Sequence, residues 1–307
     1  LIAIIAIYAL LATTFVIAKL ALAYAHPFFL IGVRMSLAGL ILAATLALTS
    51  RKKLWIKRED LGSFFKIAFF HVYLAFSCEF WALQSLSSAK TNLIYTSTPF
   101  IAAILSYFIL GERLSWKKGL GLALGLLGLM PVTFSKDDFI TSGWIHEMLP
   151  ESILMIAVIS ASYAWFEIKK MMNKGYSLVW INGFAMLIGG LGSLITSLVF
   201  FGSESFHVKE PLEFLKYIAL MIVVSNLIFY NAYAWLMKKY SITFLTFAGF
   251  LSPVFGAIYG HTLLGEQIGW EYLCSLALIT LALYIFYQEE PGTQKVSKPD
   301  SLPPDTL

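Results

Sequence analysis

Apolar residues fill this chain in long blocks separated by short polar breaks. Ten blocks can be delimited, at 2–20, 28–49, 63–86, 90–110, 115–134, 151–170, 177–201, 213–236, 241–264 and 268–287. Each approaches the length of about 20 residues that an α-helix needs to cross a bilayer core. The longest polar break between blocks runs from Ser135 to Pro150 and divides the chain into halves of similar size. The stretch from Glu289 to Leu307 mixes polar residues with Pro291, Pro299, Pro303 and Pro304, and reads as disordered. The pattern predicts an all-α membrane protein of ten transmembrane helices. Its expected parts are a five-helix unit at 1–134, a linker at 135–150, a second five-helix unit at 151–287 and a tail at 288–307.

The two halves are related. A shift of 154 residues places Trp81 on Trp235, Ser87 on Ser241, Pro99 on Pro253 and Ala103 on Ala257. It continues through Leu110, Gly111, Glu112 and Trp116, which fall on Leu264, Gly265, Glu266 and Trp270. Shared apolar composition produces chance Leu and Ala matches, but seldom a Pro, a Gly-Glu pair and two Trp in one ungapped register. Five spans per half is an odd number, so the second half enters the membrane from the opposite side. This is the inverted-repeat plan of many secondary transporters.

Composition agrees with the blocks. Of the 307 residues, 59% are hydrophobic and only 13% charged, where a soluble domain carries about 25%. Lys and Arg are unevenly placed. With a cytoplasmic N-terminus, 16 of the 22 fall on the cytoplasmic side, Lys19, Lys90, Lys136, Lys209 and Lys216 on the other, and Arg34 within a span. Both termini are therefore expected in the cytoplasm of a bacterial inner-membrane protein. The net charge of +4 is spread over loops and forms no basic surface for nucleic acid. Cys78 and Cys274 lie in apolar blocks and read as packing residues. Ile2 already belongs to the first span, so the chain is read as starting after a trimmed or missing segment and without a cleavable signal peptide.

At the two repeat segments the chain resembles the drug/metabolite transporter superfamily, in its ten-helix EamA-type branch. Phe80 to Trp116 and Tyr230 to Trp270 carry the likeness, each with a mid-helix Pro followed by a Gly-Glu at the helix end. Arg34 and Lys19 are similar to family positions as well. Two departures are Leu11-Ala12 in the first span and the lack of glycines around Cys274 and Ser275. The chain also resembles the S-adenosylmethionine transporters of obligate intracellular bacteria, although no residue pattern carries that finer likeness. The resemblance implies a carrier of amino acids, nucleoside-like metabolites or S-adenosyl compounds.

Several residues are candidates for the site. Pro99 and Pro253 are placed near the bilayer midplane by rise counting and free the carbonyls of Tyr95 and Gly249. Symmetric hinges and static kinks are both open readings. Glu79 lies within the third span, where an unpaired carboxylate costs about 3 kcal/mol. It is either the structural partner of Arg34 or a cavity carboxylate for a substrate cation or a coupling proton. In the second half, Asn226, Tyr230 and Tyr233 share one helix face, and Tyr233 is the repeat mate of Glu79. That polar-aromatic face suggests a lined cavity. Tyr95 can stack on a planar or cationic group, and Tyr8 and Phe15 share a face of the first span that closes the same space. Glu112 and Glu266 stand just before the next helix and read as structural caps. His71 and His261 are isolated and offer no metal spacing.

The expected function is secondary transport of a small polar metabolite by alternating access between the halves. No ATP-binding motif is present, so a gradient, a coupling proton or an exchanged solute drives it, and no cofactor is expected. The alternative is a proton-coupled multidrug exporter of the same fold. A membrane-embedded enzyme needs a His, Asp or Glu cluster at one surface, and the short loops hold none, so the chain is not read as an enzyme.

Overall fold

The computed structural model describes residues 2–50, 54–111, 116–133, 144–229, 232, 236, 249 and 251–287. Seven helices among them are long and apolar enough to cross a membrane. These are α1 (Ile2–Ala21), α2 (Pro27–Ser50), α3 (Arg58–Leu83), α4 (Ser88–Ile109), α6 (Met148–Asn173), α7 (Leu178–Phe201) and α8 (Pro211–Phe229). The helices α5 (Trp116–Thr133), α9 (Leu251–Leu264) and α10 (Trp270–Tyr287) complete the described set. The helix that contains α6 begins at Trp144, inside the stretch read as a linker, and passes through Pro150 without ending. The expected tail at 288–307 lies outside the described residues.

Local sequence explains most helix ends. Pro27 and Pro211 open their helices, where a missing backbone N–H costs nothing. Ser87 caps α4, its hydroxyl accepting from Lys90 N. Gly111 and Gly265 end α4 and α9 in the left-handed region, both at φ 68°. These two glycines are 154 residues apart, the offset of the sequence repeat.

The same offset governs packing. Helix α2 runs along α7, and α5 along α10, so each helix packs on its own repeat mate. The remaining contacts come in mirrored sets: α1 on α8 and α9 in one direction, α6 on α3 and α4 in the other. At the α2–α7 crossing Gly32 faces Leu194, Gly190 faces Ser36 and Gly39 faces Leu187. The antiparallel crossing is thus centred on residues 36 and 190, which are themselves repeat mates. Wider π-helical turns interrupt α3 at Ala68–Leu74 and α8 at Ile222–Phe229, again starting 154 residues apart. The architecture is that of two inverted five-helix repeats.

The connections dock in the same crossed way. At the end of the bundle where α3 begins, Asp60 holds Lys174 and accepts from Tyr176 Oη at 2.8 Å. The Lys174–Asp60 hydrogen bond raises the pKa of the Lys174 ammonium above its ordinary value. At the opposite end Lys209 N donates to Tyr24 O at 3.0 Å, and Tyr24 stacks on Tyr217. The α6–α7 connection therefore grips the start of α3, and the α1–α2 connection grips the start of α8.

The α2–α7 crossing leaves no room for side chains. A Cβ on Gly39 would lie 2.5 Å from Leu187 N and 2.7 Å from Gly183 O, both backbone atoms that cannot yield without moving a helix. Gly39→Ala is expected to destabilise the protein by about 1–3 kcal/mol. Gly119, with open space around it, should tolerate alanine without loss. Thermal unfolding of both variants in detergent checks the contrast.

Candidate functional site

Glu79 sits on α3 in the helical piece that follows the π-helical turn, and it is 8% exposed. Its Oε2 accepts a hydrogen bond of 2.6 Å from Tyr95 Oη, on α4. The ring of Phe15, from α1, lies 5.5 Å from that of Tyr95. Three helices of the first half thus bring together a carboxylate, a phenol and an aromatic face.

Tyr95 owes its place to a break in α4. The helix ends at Tyr95, turns through Thr96 and Ser97, and restarts at Thr98. Pro99 opens this second piece, where its missing N–H is harmless. The Tyr95 carbonyl accepts from Thr98 Oγ1 at 2.6 Å, while Ser97 Oγ bonds Ile94 O at 2.7 Å. The freed carbonyls of α4 are thus satisfied by its own hydroxyls. The segment around Pro253 in the second half is held by different contacts. Ser252 N donates to Gly249 O, Asn92 Nδ2 donates to Ser252 O at 2.9 Å, and Tyr272 Oη donates to Pro253 O at 2.7 Å. Pro253 is therefore stitched to α4 and α10, whereas Pro99 depends on its own helix.

A second polar group lies beside the first. Arg34 of α2 is 2% exposed and donates to Ser225 Oγ at 2.9 Å and Asn226 Oδ1 at 3.3 Å, both in the π-helical turn of α8. The guanidinium also stands over the Phe76 ring, 5.4 Å from its centroid. Phe76 precedes Glu79 by three residues, one helical turn, so it joins the two groups. The ion pairs among the described residues do not include Arg34 with Glu79. Asn226 is 1% exposed, and its Nδ2 points at Met35 and Met186 sulfurs at 3.9 and 3.4 Å.

Tyr8 is buried two turns from Phe15 and packs with Ile4, Ile7 and Leu236. Tyr230, Tyr233 and Glu112 lie outside the described residues. Glu266 does not cap the helix that follows it. Its carboxylate reaches across to the start of α4, accepting from Ser88 N at 2.6 Å and Ala89 N at 3.1 Å. Ser225 escaped the sequence reading, although its neighbour Asn226 was a candidate. Its repeat mate is His71, and a polar residue in both halves was the available signal. Among the described residues no group of three His, Cys, Asp or Glu side chains could hold a metal ion.

Known proteins share this sequence and fold. The EamA-like transporter family model matches residues 1–134 and 148–288. The chain is 36% identical over 282 residues to an S-adenosylmethionine/S-adenosylhomocysteine transporter of Chlamydia trachomatis, covering 91% of this chain and 86% of the relative. The corresponding Chlamydia muridarum transporter is 35% identical, over 91% of this chain and 88% of its own. A chloroplastic WAT1-related protein of Arabidopsis thaliana is 26% identical, over 89% and 66%. A crystal structure of 17% identity superposes with a TM-score of 0.63 over 94% of both chains and shares the fold. Two inverted bundles, a carboxylate held in their membrane interior and these matches over both halves lead to one conclusion: the chain is a membrane transporter belonging to the EamA-like family.

Proposed function

We propose that this chain carries S-adenosyl compounds across a bacterial inner membrane by alternating access of its two halves around Glu79, Tyr95 and Phe15. The observation that carries the proposal is the Tyr95–Glu79 hydrogen bond beside an aromatic face, on a carboxylate buried among three helices. S-adenosylmethionine has a sulfonium, an α-ammonium and a planar purine. A carboxylate suits either cation and a Tyr–Phe pair suits the purine or the sulfonium. The names of the chlamydial relatives support the same substrate class. S-adenosylhomocysteine, which keeps the ammonium and the purine, is the natural exchanged solute. The five-helix units 1–134 and 151–287 are the two rocking bodies, with Pro99 and Pro253 at their bends.

The Lys and Arg bias supports cytoplasmic termini. Single cysteines at Arg58 and Lys174 are then expected to react with an impermeant thiol reagent only from the cytoplasmic side, and one at Lys209 only from outside. Reaction of the first two from opposite sides contradicts this topology.

Uptake of labelled S-adenosylmethionine into cells or proteoliposomes tests the substrate. Unlabelled S-adenosylhomocysteine should compete, and common amino acids and nucleosides should not. Glu79→Gln is expected to reduce uptake at least about tenfold, because a charge-assisted contact is worth about 1.5–3 kcal/mol. Tyr95→Phe should reduce it several-fold. Absence of S-adenosyl uptake refutes the substrate, and equal uptake by wild type and Glu79→Gln refutes the role of the carboxylate.

A further inference from the structure

The start of α4 is held by a residue from the other half. Helix N-terminal N–H groups have no partner within their own helix. Two of those at the start of α4 donate to Glu266, Ser88 N to Oε1 and Ala89 N to Oε2, and Ser88 Oγ donates to Oε2 at 3.0 Å. Both carboxylate oxygens are engaged, across a sequence separation of 178 residues. The carboxylate is placed by its own loop. Gly265 adopts φ 68°, Glu266 N donates to Gly260 O at 3.0 Å, and a Cβ on Gly260 would lie 2.3 Å from Glu266 Oε2.

The same corner is gripped from two further sides. Lys19 Nζ, at the end of α1, donates to the carbonyls of Leu83, Gln84 and Leu86 at 2.6, 3.2 and 2.7 Å. Lys90, on the first turn of α4, pairs with Glu151 of α6 at 2.5 Å. A plain cap would come from the helix itself or the loop before it, as Ser87 already does. Glu266 instead ties the α9–α10 connection to an eight-residue helix whose other end is Tyr95. Beyond Tyr95 the helix ends in a turn and restarts at Thr98, so this short helix is a separate piece with Glu266 at one end and Tyr95 at the other.

We propose that Glu266 is a releasable latch. Engaged, it closes this end of the bundle and positions α4 so that Tyr95 meets Glu79; released, it lets the end open. Glu266 is a positioning residue and touches no substrate. The inference rests on the transport reading above, but its test does not need transport.

The test uses a reporter cysteine at Ala89, which is 1% exposed beneath the latch, in a background with Cys78→Ala and Cys274→Ala. The rate of its reaction with an impermeant maleimide is measured in proteoliposomes of the full chain. Glu266→Gln should raise that rate about tenfold, the loss expected for charge-assisted bonds. Ser88→Ala should raise it less, and Glu266→Asp should fall between wild type and the amide. In uptake, Glu266→Gln should change Vmax and leave KM within about twofold, since no substrate contact is lost. Equal maleimide rates in wild type and Glu266→Gln overturn the latch. If Glu266→Gln fails to accumulate, the rate for Ser88→Ala decides in the same way. Wild-type protein that moves no solute while the labelling rates still differ would sink the transport reading and keep the latch.

Discussion

Hydrocarbon does not solvate charge, and this protein places a guanidinium, Arg34, and a carboxyl group, Glu79, inside membrane-spanning helices. Translocon insertion prices such a group at about 3 kcal/mol at a helix centre, so each needs a partner or water. The obvious solution, an Arg34–Glu79 pair, is not the one adopted. Arg34 donates to Ser225 and Asn226 of the other half, and Glu79 accepts from the Tyr95 phenol. The result is a carboxylate that is buried and oriented. In the transport proposal a substrate cation pairs with this carboxylate.

The fold is symmetric where it packs and asymmetric where it does chemistry. Gly190 against Ser36 at the α2–α7 crossing lies on the pseudo-twofold axis, and small residues there let two backbones touch. The π-helical turns of α3 and α8 keep the same register. Yet Arg34 corresponds to Ile188, Val72 to Asn226 and His71 to Ser225. The polar lock therefore exists at the α2–α8 contact, while its mirror image places Val72 against Gly189. Tyr95 corresponds to Gly249, so the phenol belongs to the first half alone. The scaffold is thus repeated while these few positions diverge.

Much of this was legible in the sequence because the bilayer makes helices long and apolar and the repeat fixes their register. The spans, the 154-residue offset and the prominence of Glu79, Tyr95 and Arg34 all follow from local pattern. What escaped is non-local or invisible to hydrophobic spacing. A π-helical turn changes hydrogen bonding without changing composition, so Ala68–Leu74 reads as ordinary helix. Glu266 lies close to α10 in sequence, and nothing nearby indicates that its carboxylate serves α4. Pro99 reads as a kink inside a helix, but the hydroxyls of Thr96, Ser97 and Thr98 allow the chain to stop and restart there. Tyr8 shares a face with Phe15, and its packing against Leu236 joins residues too far apart in sequence for spacing to reveal.

The central claim is that Glu79 is the carboxylate a transported cation completes. Reaction of the reconstituted protein with an apolar carbodiimide, followed by mass spectrometry of the modified peptide, tests it most directly. The account predicts modification at Glu79 that slows as S-adenosylmethionine is added and does not slow with a neutral solute of similar size. A Glu79 that resists the reagent, or reacts at the same rate whatever cation is present, would contradict it.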